Sequence, residues 1–178
     1  MQKTVVQYED ANDVIRGPGT AEVTYKNSFS FDLELRNLQQ NSWGFIGIIN
    51  YEPDKEVTES TYKNNTGSYR LIITTPAKLQ TTTLQTNAAY RWGNFYIPVG
   101  INYAFFKVTP SSSGINSKAT GGLGYQAGLG FIISDRFILE TTYRQTAINL
   151  EDDYGSGLVD RYNKGSMKNV YFSLRGLW

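Results

Sequence analysis

The chain has 178 residues with no cysteine and no histidine, its charges nearly cancel at +1, and it carries 13 Tyr, 9 Phe and 3 Trp against five prolines. The missing cysteines exclude disulfides and thiolate metal sites, and the missing histidines remove the usual general base and metal ligand near neutral pH. No basic tract offers nucleic acid a surface, and no run reaches the roughly 18 apolar residues of a membrane helix. The aromatic content favours β structure in one domain, 1–178, and a mean hydropathy of −0.39 is compatible with strands that are apolar on one face only.

Residues 1–19 are the least readable. Thr4 to Tyr8 has the composition of a short strand, while Glu9 to Asp13 and Arg16 to Gly19 read as loop. No apolar stretch follows Met1-Gln2-Lys3, so an exported protein is expected to have lost its leader already. From Glu22 to Arg36 the alternation is plain. Val23, Tyr25, Phe29, Phe31, Leu33 and Leu35 are assigned to one face, and Ser28, Ser30, Asp32, Glu34 and Arg36 to the other. A turn over 37–42 leads to Trp43, Phe45, Gly47, Ile49 and Tyr51 on an apolar face, whose opposite face is blurred by Ile46 and Ile48. The pattern runs on to a turn at 63–67, then through a long segment from Ser68 to Arg91 in which Pro76 predicts a bulge. Below that bulge Leu84, Thr86, Ala88 and Tyr90 are expected outside, with Thr83, Gln85, Asn87 and Arg91 inside.

After the turn Trp92-Gly93-Asn94, the residues Phe95, Ile97, Val99, Ile101, Tyr103 and Phe105 form the cleanest strand face in the chain. A loop near 110–118 precedes a strand in which Leu123, Tyr125, Ala127, Leu129, Phe131 and Ile133 oppose Gly122, Gly124, Gln126, Gly128 and Gly130, leaving room inside. Beyond the turn 134–136, Phe137, Leu139, Tyr143 and Ala147 alternate with Glu140, Thr142, Arg144 and Thr146. A loop over 151–165 leads to the closing strand. There Val170, Phe172, Leu174, Gly176 and Trp178 share one face, and Asn169, Tyr171, Ser173, Arg175 and Leu177 the other.

Short turns at 37–42, 92–94 and 134–136 alternate with longer polar connections, which predicts an all-β, eight-stranded antiparallel up-and-down barrel. The alternation, the segment from Gly128 to Arg144 and the terminal Trp178 resemble the small eight-stranded bacterial outer-membrane barrels, the OmpA-domain, OmpX and OmpW group. The resemblance covers about residues 20–178 and is compositional, not residue-specific. It implies short periplasmic turns, longer outer loops, an outer-membrane location, and partners in the lipid bilayer and the barrel-assembly machinery, with a monomer expected. In that group Val170, Phe172, Leu174 and Trp178 would form the assembly signal. Trp43, Tyr51, Tyr90, Trp92 and Phe95 would sit in interfacial girdles. Two functions follow as expectations: a structural or surface-interaction protein of the adhesion and defence type, working through outer loops, or a passive conduit for small solutes, hydrophobic ones if the likeness is to the OmpW members. A soluble lipocalin-like ligand-binding barrel is the rival fold, because alternation does not tell inside from outside.

No enzyme, cofactor or metal is expected. The acyl-transferase, lipase and protease mechanisms of small outer-membrane barrels resemble one another in requiring histidine, and Glu151-Asp152-Asp153 reads as a solvated loop. The glycines at 121–124 and 128–130 lie within a strand with no helix to follow, so they are not phosphate loops. The informative set is the inward charge group Asp32, Glu34, Arg36, Arg91, Glu140, Arg144 and Arg175, which must pair if it lies in a narrow lumen. Strand direction places Glu140 and Arg175 at one height, predicting a direct pair with Arg144, Asp32 and Glu34 continuing the network and no ion-conducting pore.

Overall fold

The computed structural model describes residues 4–13, 17–26, 28–71, 77–109, 116–134, 136–153 and 158–176. They form ten strand segments: β1 (Thr4–Asp13), β2 (Gly17–Tyr25), β3 (Phe31–Asn37), β4 (Ser42–Asn64), β5 (Gly67–Leu71), β6 (Lys78–Trp92), β7 (Phe95–Thr109), β8 (Asn116–Ser134), β9 (Phe137–Asp153) and β10 (Val159–Gly176). Every pairing is antiparallel. Because β2 and β3 both run along β4, they act as one strand broken at 26–30, and β5 is a hairpin arm on the far end of β4. The result is a ring of eight: β1, β2 with β3, β4, β6, β7, β8, β9 and β10.

One end of the ring has tight turns. Asn41 and Gly93 occupy them with φ of 54° and 57°, a backbone that glycine and asparagine tolerate best. At the other end the strands overshoot. Residues 9–13, 17–19, 151–153 and 159–165, expected as loop, are paired strand, because β1 with β2 and β9 with β10 continue their ladders into two-stranded ribbons. The connection at 63–67 is likewise a tight hairpin turn in which the Asn64 side chain accepts from the Thr66 and Gly67 amides. Pro76 lies outside the described residues.

Around the turn-proximal half runs a belt of outward apolar side chains. It includes Phe31, Leu33, Leu35, Trp43, Phe45, Ile49, Leu84, Ile97, Val99, Ile101, Phe105, Leu123, Leu129, Leu139, Phe172 and Leu174, of which Leu35 and Phe172 are each 77% exposed. Beyond it the outward positions turn polar, with Gln7, Glu9, Glu22, Asp54, Lys63, Lys107, Lys118, Asn149, Arg161 and Lys168 exposed. On β4 the belt spans Trp43 to Tyr51. Eight residue-to-residue steps at about 3.3 Å, tilted about 40°, rise roughly 20 Å, close to the apolar band of about 25 Å on membrane barrels.

The interior is layered. Val6, Tyr8, Ala11, Ala21, Tyr25, Val57, Tyr62, Leu79, Ile148 and Met167 fill the long-strand half. Ile46, Ile48, Ala89, Tyr96 and Ile138 form a smaller apolar floor near the tight turns, which accounts for the blurred inner face of β4. Charged and amide side chains lie between. The assignment of Val23 and Tyr25 to the outward face is corrected here. Tyr25 is buried and Val23 packs on the upper core, whereas Phe31 is exposed, because the break at 26–30 reverses which face points out.

Candidate functional site

The middle layer owes its content to irregularities in β4. In a regular strand, residues three apart point to opposite faces. Between Glu52 and Lys55 the pairing with β6 slips at Pro53-Asp54, a bulge that turns both side chains into the lumen, where they form an ion pair. Glu52 also pairs with Arg144, and the Tyr171 hydroxyl donates to Glu52 at 2.7 Å. The Arg144 guanidinium lies 4.1 Å over the Tyr171 ring and donates to the Asn50 amide oxygen at 3.1 Å. Glu52, Lys55 and Arg144 are each buried. Sequence reasoning missed Glu52, Lys55, Asn50 and Tyr171. The available signals were Pro53 inside a strand and Tyr171 sharing a face with Arg175.

A second cluster lies nearer the turns. Arg175 Nη2 stands 3.1 Å from Glu140 Oε1 and 3.2 Å from Asp32 Oδ2, and its Nη1 pairs with Glu34. Arg36 pairs with Glu34 through Nε and stands 3.5 Å from Glu140 through Nη2. Tyr96 donates its hydroxyl to Glu140, and the Arg36 guanidinium lies 4.7 Å from its ring centre. Tyr96 crosses a whole strand to do this. It lies flat over Gly130, where any Cβ would run into the ring, so the inward glycine that leaves room on β8 is what admits the phenol to Glu140. Asn50 Nδ2 donates to Asp32 at 2.5 Å and links the two clusters.

The structure therefore brings Glu140 and Arg175 together, with Asp32 and Glu34 on the same guanidinium. Arg144 belongs to the Glu52 cluster and reaches the other through Asn50. Arg91 is a correction. It donates to the Gly93 and Leu38 carbonyl oxygens at 2.9 and 3.2 Å, tying two turns together near the rim, because its position at the end of β6 lies below the charged layer.

Of the assigned girdle residues, Trp43, Tyr90, Trp92 and Phe95 form a chain of ring contacts, 5.4, 6.5 and 6.2 Å between successive centres, which Phe131 extends at 4.8 Å. Tyr51 lies at the opposite edge of the belt, bonded to Gln80 and beside Phe31 on the ladder. Phe172 and Leu174 point outward, Val170 is half-buried, and Trp178 lies outside the described residues.

Next to this layer the wall formed by the described residues has a gap. β1 pairs with β10 only over 161–168, and with β2, not β3. Among the described residues no strand pairs with the edge of β3 away from β4, or with the edge of β10 away from β9 over 169–176. A cavity of about 1030 Å³ occupies this seam, with Phe29, Phe31, Leu33, Phe172 and Leu174 at its apolar lips. Asp32, Glu34, Arg36, Glu52, Lys55 and Arg175 lie within. Arg175, reaching from β10 to Asp32 and Glu34 on β3, bridges the gap from the inside.

An antiparallel ring of eight strands with charged side chains in its lumen and an apolar belt outside defines the molecule's class as a small up-and-down β-barrel. Among solved structures it is similar to the crystal structure of the outer membrane protein OprG from Pseudomonas aeruginosa, with a TM-score of 0.53 and 13% identity over 98% of this chain and 93% of that one. No family model and no curated protein matches the sequence. At that identity the likeness concerns the fold alone.

Proposed function

We propose that the chain is a bacterial outer-membrane barrel whose lumen is sealed by side chains. On this reading it acts as a surface-interaction or structural protein through the ribbons that rise beyond its apolar belt. The observation that carries the reading is the inversion of polarity: aromatic and aliphatic side chains outside, buried ion pairs inside. A lipocalin-like soluble barrel would have the opposite arrangement. Two layers oppose conduction. The upper one is packed with Tyr8, Tyr25, Tyr62, Leu79, Ile148 and Met167, and the charged one below it is cross-linked by Glu52, Arg144, Glu140 and Arg175.

β4 has 23 residues, about 75 Å along the strand and roughly 55–60 Å along the axis, so half or more of it stands clear of an apolar band of about 25 Å. Its tip is exposed and polar, as are the outward faces of β1 and β2. A partner that binds there meets strand ribbons held by backbone ladders. The alternative, passage of small apolar solutes, finds support in the seam, but the cavity there stops beneath the packed upper layer.

The test has two parts. The folded protein in detergent should migrate differently on a gel before and after boiling, and planar bilayers containing it should show no large steady conductance. Absence of the gel shift would overturn the membrane barrel, and steady channels would overturn the sealed lumen.

A further inference from the structure

Charge is distributed unevenly around the ring. The 75 residues from Ser60 to Ser134 contain six Lys and Arg and no Asp or Glu, whereas all 16 acidic residues lie in the rest of the chain with the other 11 basic ones. In an up-and-down barrel a continuous stretch of chain is a continuous sector of wall. The sector from the tip of β4 to β8 is therefore basic, and the remainder is acidic in balance. Residues 72–76 and 110–115 hold no charged side chain and leave this count unchanged. The lumen is not the source, because the four carboxylates and four cations joined there cancel and none of them comes from β5 to β8. The excess belongs to the outer face and the rims of this sector.

Three of these cations stand just above the apolar belt. Lys107 and Lys118 are exposed on β7 and β8, and Lys78 is half-buried beside them on β6. Lys107 is the next outward residue after Tyr103 and Phe105, about 5 Å above the Phe105 level. Opposite it on β6 is Gln80, which bonds Tyr51 at the belt edge, and Lys78 lies two residues further up. That height is where lipid headgroups meet a barrel. Among the described residues none of the three lysines makes an ion pair. Lys78 has Glu56 opposite on β4, and Lys118 has Glu151 on β9, itself paired with Arg161. Lys107 has no such neighbour, since β6 and β8 contain no carboxylate.

A second level of positive charge lies higher. Lys63 is exposed near the tip of β4, between Thr20 and Ser68 on the ladders. It is seven residues beyond Glu56, the ladder partner of Lys78, and so roughly 15–20 Å further from the belt. A single phospholipid headgroup reaches only the first level. The occupant that matches both has phosphate at the edge of its own acyl chains and further anionic groups above.

We propose that the outer face of this sector binds a phosphorylated glycolipid of the lipopolysaccharide kind, its lipid A phosphate on Lys107, Lys78 and Lys118 and its phosphorylated core sugars reaching Lys63. Its acyl chains lie along Tyr103, Phe105 and Leu123. A soluble polyanion is the less favoured occupant, because the lysines rise directly from apolar side chains that only a lipid covers. The proposal rests on the membrane-barrel reading and gives its surface-interaction function a partner.

To test it, the full chain folded in detergent micelles is titrated, with chelator present, with micellar diphosphoryl lipid A, dephosphorylated lipid A, and rough lipopolysaccharide carrying a phosphorylated core. Diphosphoryl lipid A should bind at least about tenfold more tightly than the dephosphorylated form, and its affinity should fall as salt rises. Lys107→Gln should weaken it about fivefold, the contribution of one lysine at an anionic membrane surface, and Lys107→Arg should restore it. Lys63→Gln should leave lipid A binding unchanged but remove the added affinity for the phosphorylated core. Lys168→Gln, exposed on the opposite wall, should change neither. Equal binding of the two lipid A forms, affinity indifferent to salt, an equal loss in Lys168→Gln and Lys107→Gln, or displacement by soluble inositol hexakisphosphate at matched concentration would overturn the glycolipid site while leaving the barrel reading intact. The salt and phosphate comparisons use the wild-type chain alone, so they decide the matter even where a variant does not fold. Absence of the gel shift in the wild-type chain would overturn both.

Discussion

The two halves of this barrel solve the same packing problem in opposite ways. In the upper half β1 bridges β10 to β2, and the interior is filled by aromatic and aliphatic side chains. In the lower half, inside the apolar belt, no strand lies between β3 and β10 among the described residues, and the interior is filled by ion pairs. The difference follows from what each half faces. Above the belt the outward positions are polar, so the apolar residues gather inside, as in any soluble protein. Within the belt they face outward, the interior is left to polar groups, and those groups must satisfy one another. Where backbone pairing is missing, Arg175 reaches across to Asp32 and Glu34, so side chains do the joining that a ladder does above.

The comparison breaks most sharply at Glu52. Glu52→Ala leaves Arg144 and Lys55 as buried cations without their carboxylate, and should cost about 3–5 kcal/mol in urea unfolding followed by the gel shift. Glu140→Ala should cost clearly less, because Arg175 keeps Asp32 and Glu34; an equal or larger loss would mean that the two clusters are not organised as described. In the upper half Ile148→Ala should cost about 2–4 kcal/mol through a cavity, with no sensitivity to salt. Gly130→Ala should cost about 1–3 kcal/mol by driving Tyr96 off Glu140, and Tyr96→Phe on top of it should add little.

The smallest effect concerns the rim of the upper half. Asp152, above the belt, has its carboxyl pushed above the ordinary value by burial, with the Ser117 hydroxyl opposing and Asp160 across the ladder adding to the rise. Its ionisation therefore costs more in the folded than in the unfolded chain. Asp152→Asn should stabilise slightly at neutral pH, by under about 1 kcal/mol, and the gain should vanish as pH falls below the ordinary carboxylate value of about 4. A gain that grows on acidification would contradict that sign.

How much of this was legible in the sequence follows the same division. Belt strands such as Phe95 to Phe105 alternate without interruption, so both their existence and their facing can be read directly. Glu140 opposite Arg175 is also readable, since each lies a fixed distance from a turn or a strand end. What escaped lies at irregularities. Pro53-Asp54 and the break at 26–30 each reverse a face, and period-two reading carries the wrong phase past them. Tyr25 was thereby placed outside, and Glu52 and Lys55 were not recognised as partners. Arg91 failed for another reason: its facing was read, but not its height, and a charge near a rim finds turn carbonyls before it finds a lumen partner.

Residue-resolved amide hydrogen exchange of the folded barrel in micelles tests the contrast between the halves most directly. On β10, the amides that point away from β9 should be protected over 161–168, where β1 pairs with them, and should exchange much faster over 169–176. Uniform protection along the whole of that edge would show that the lower wall is closed by backbone pairing and would contradict the seam.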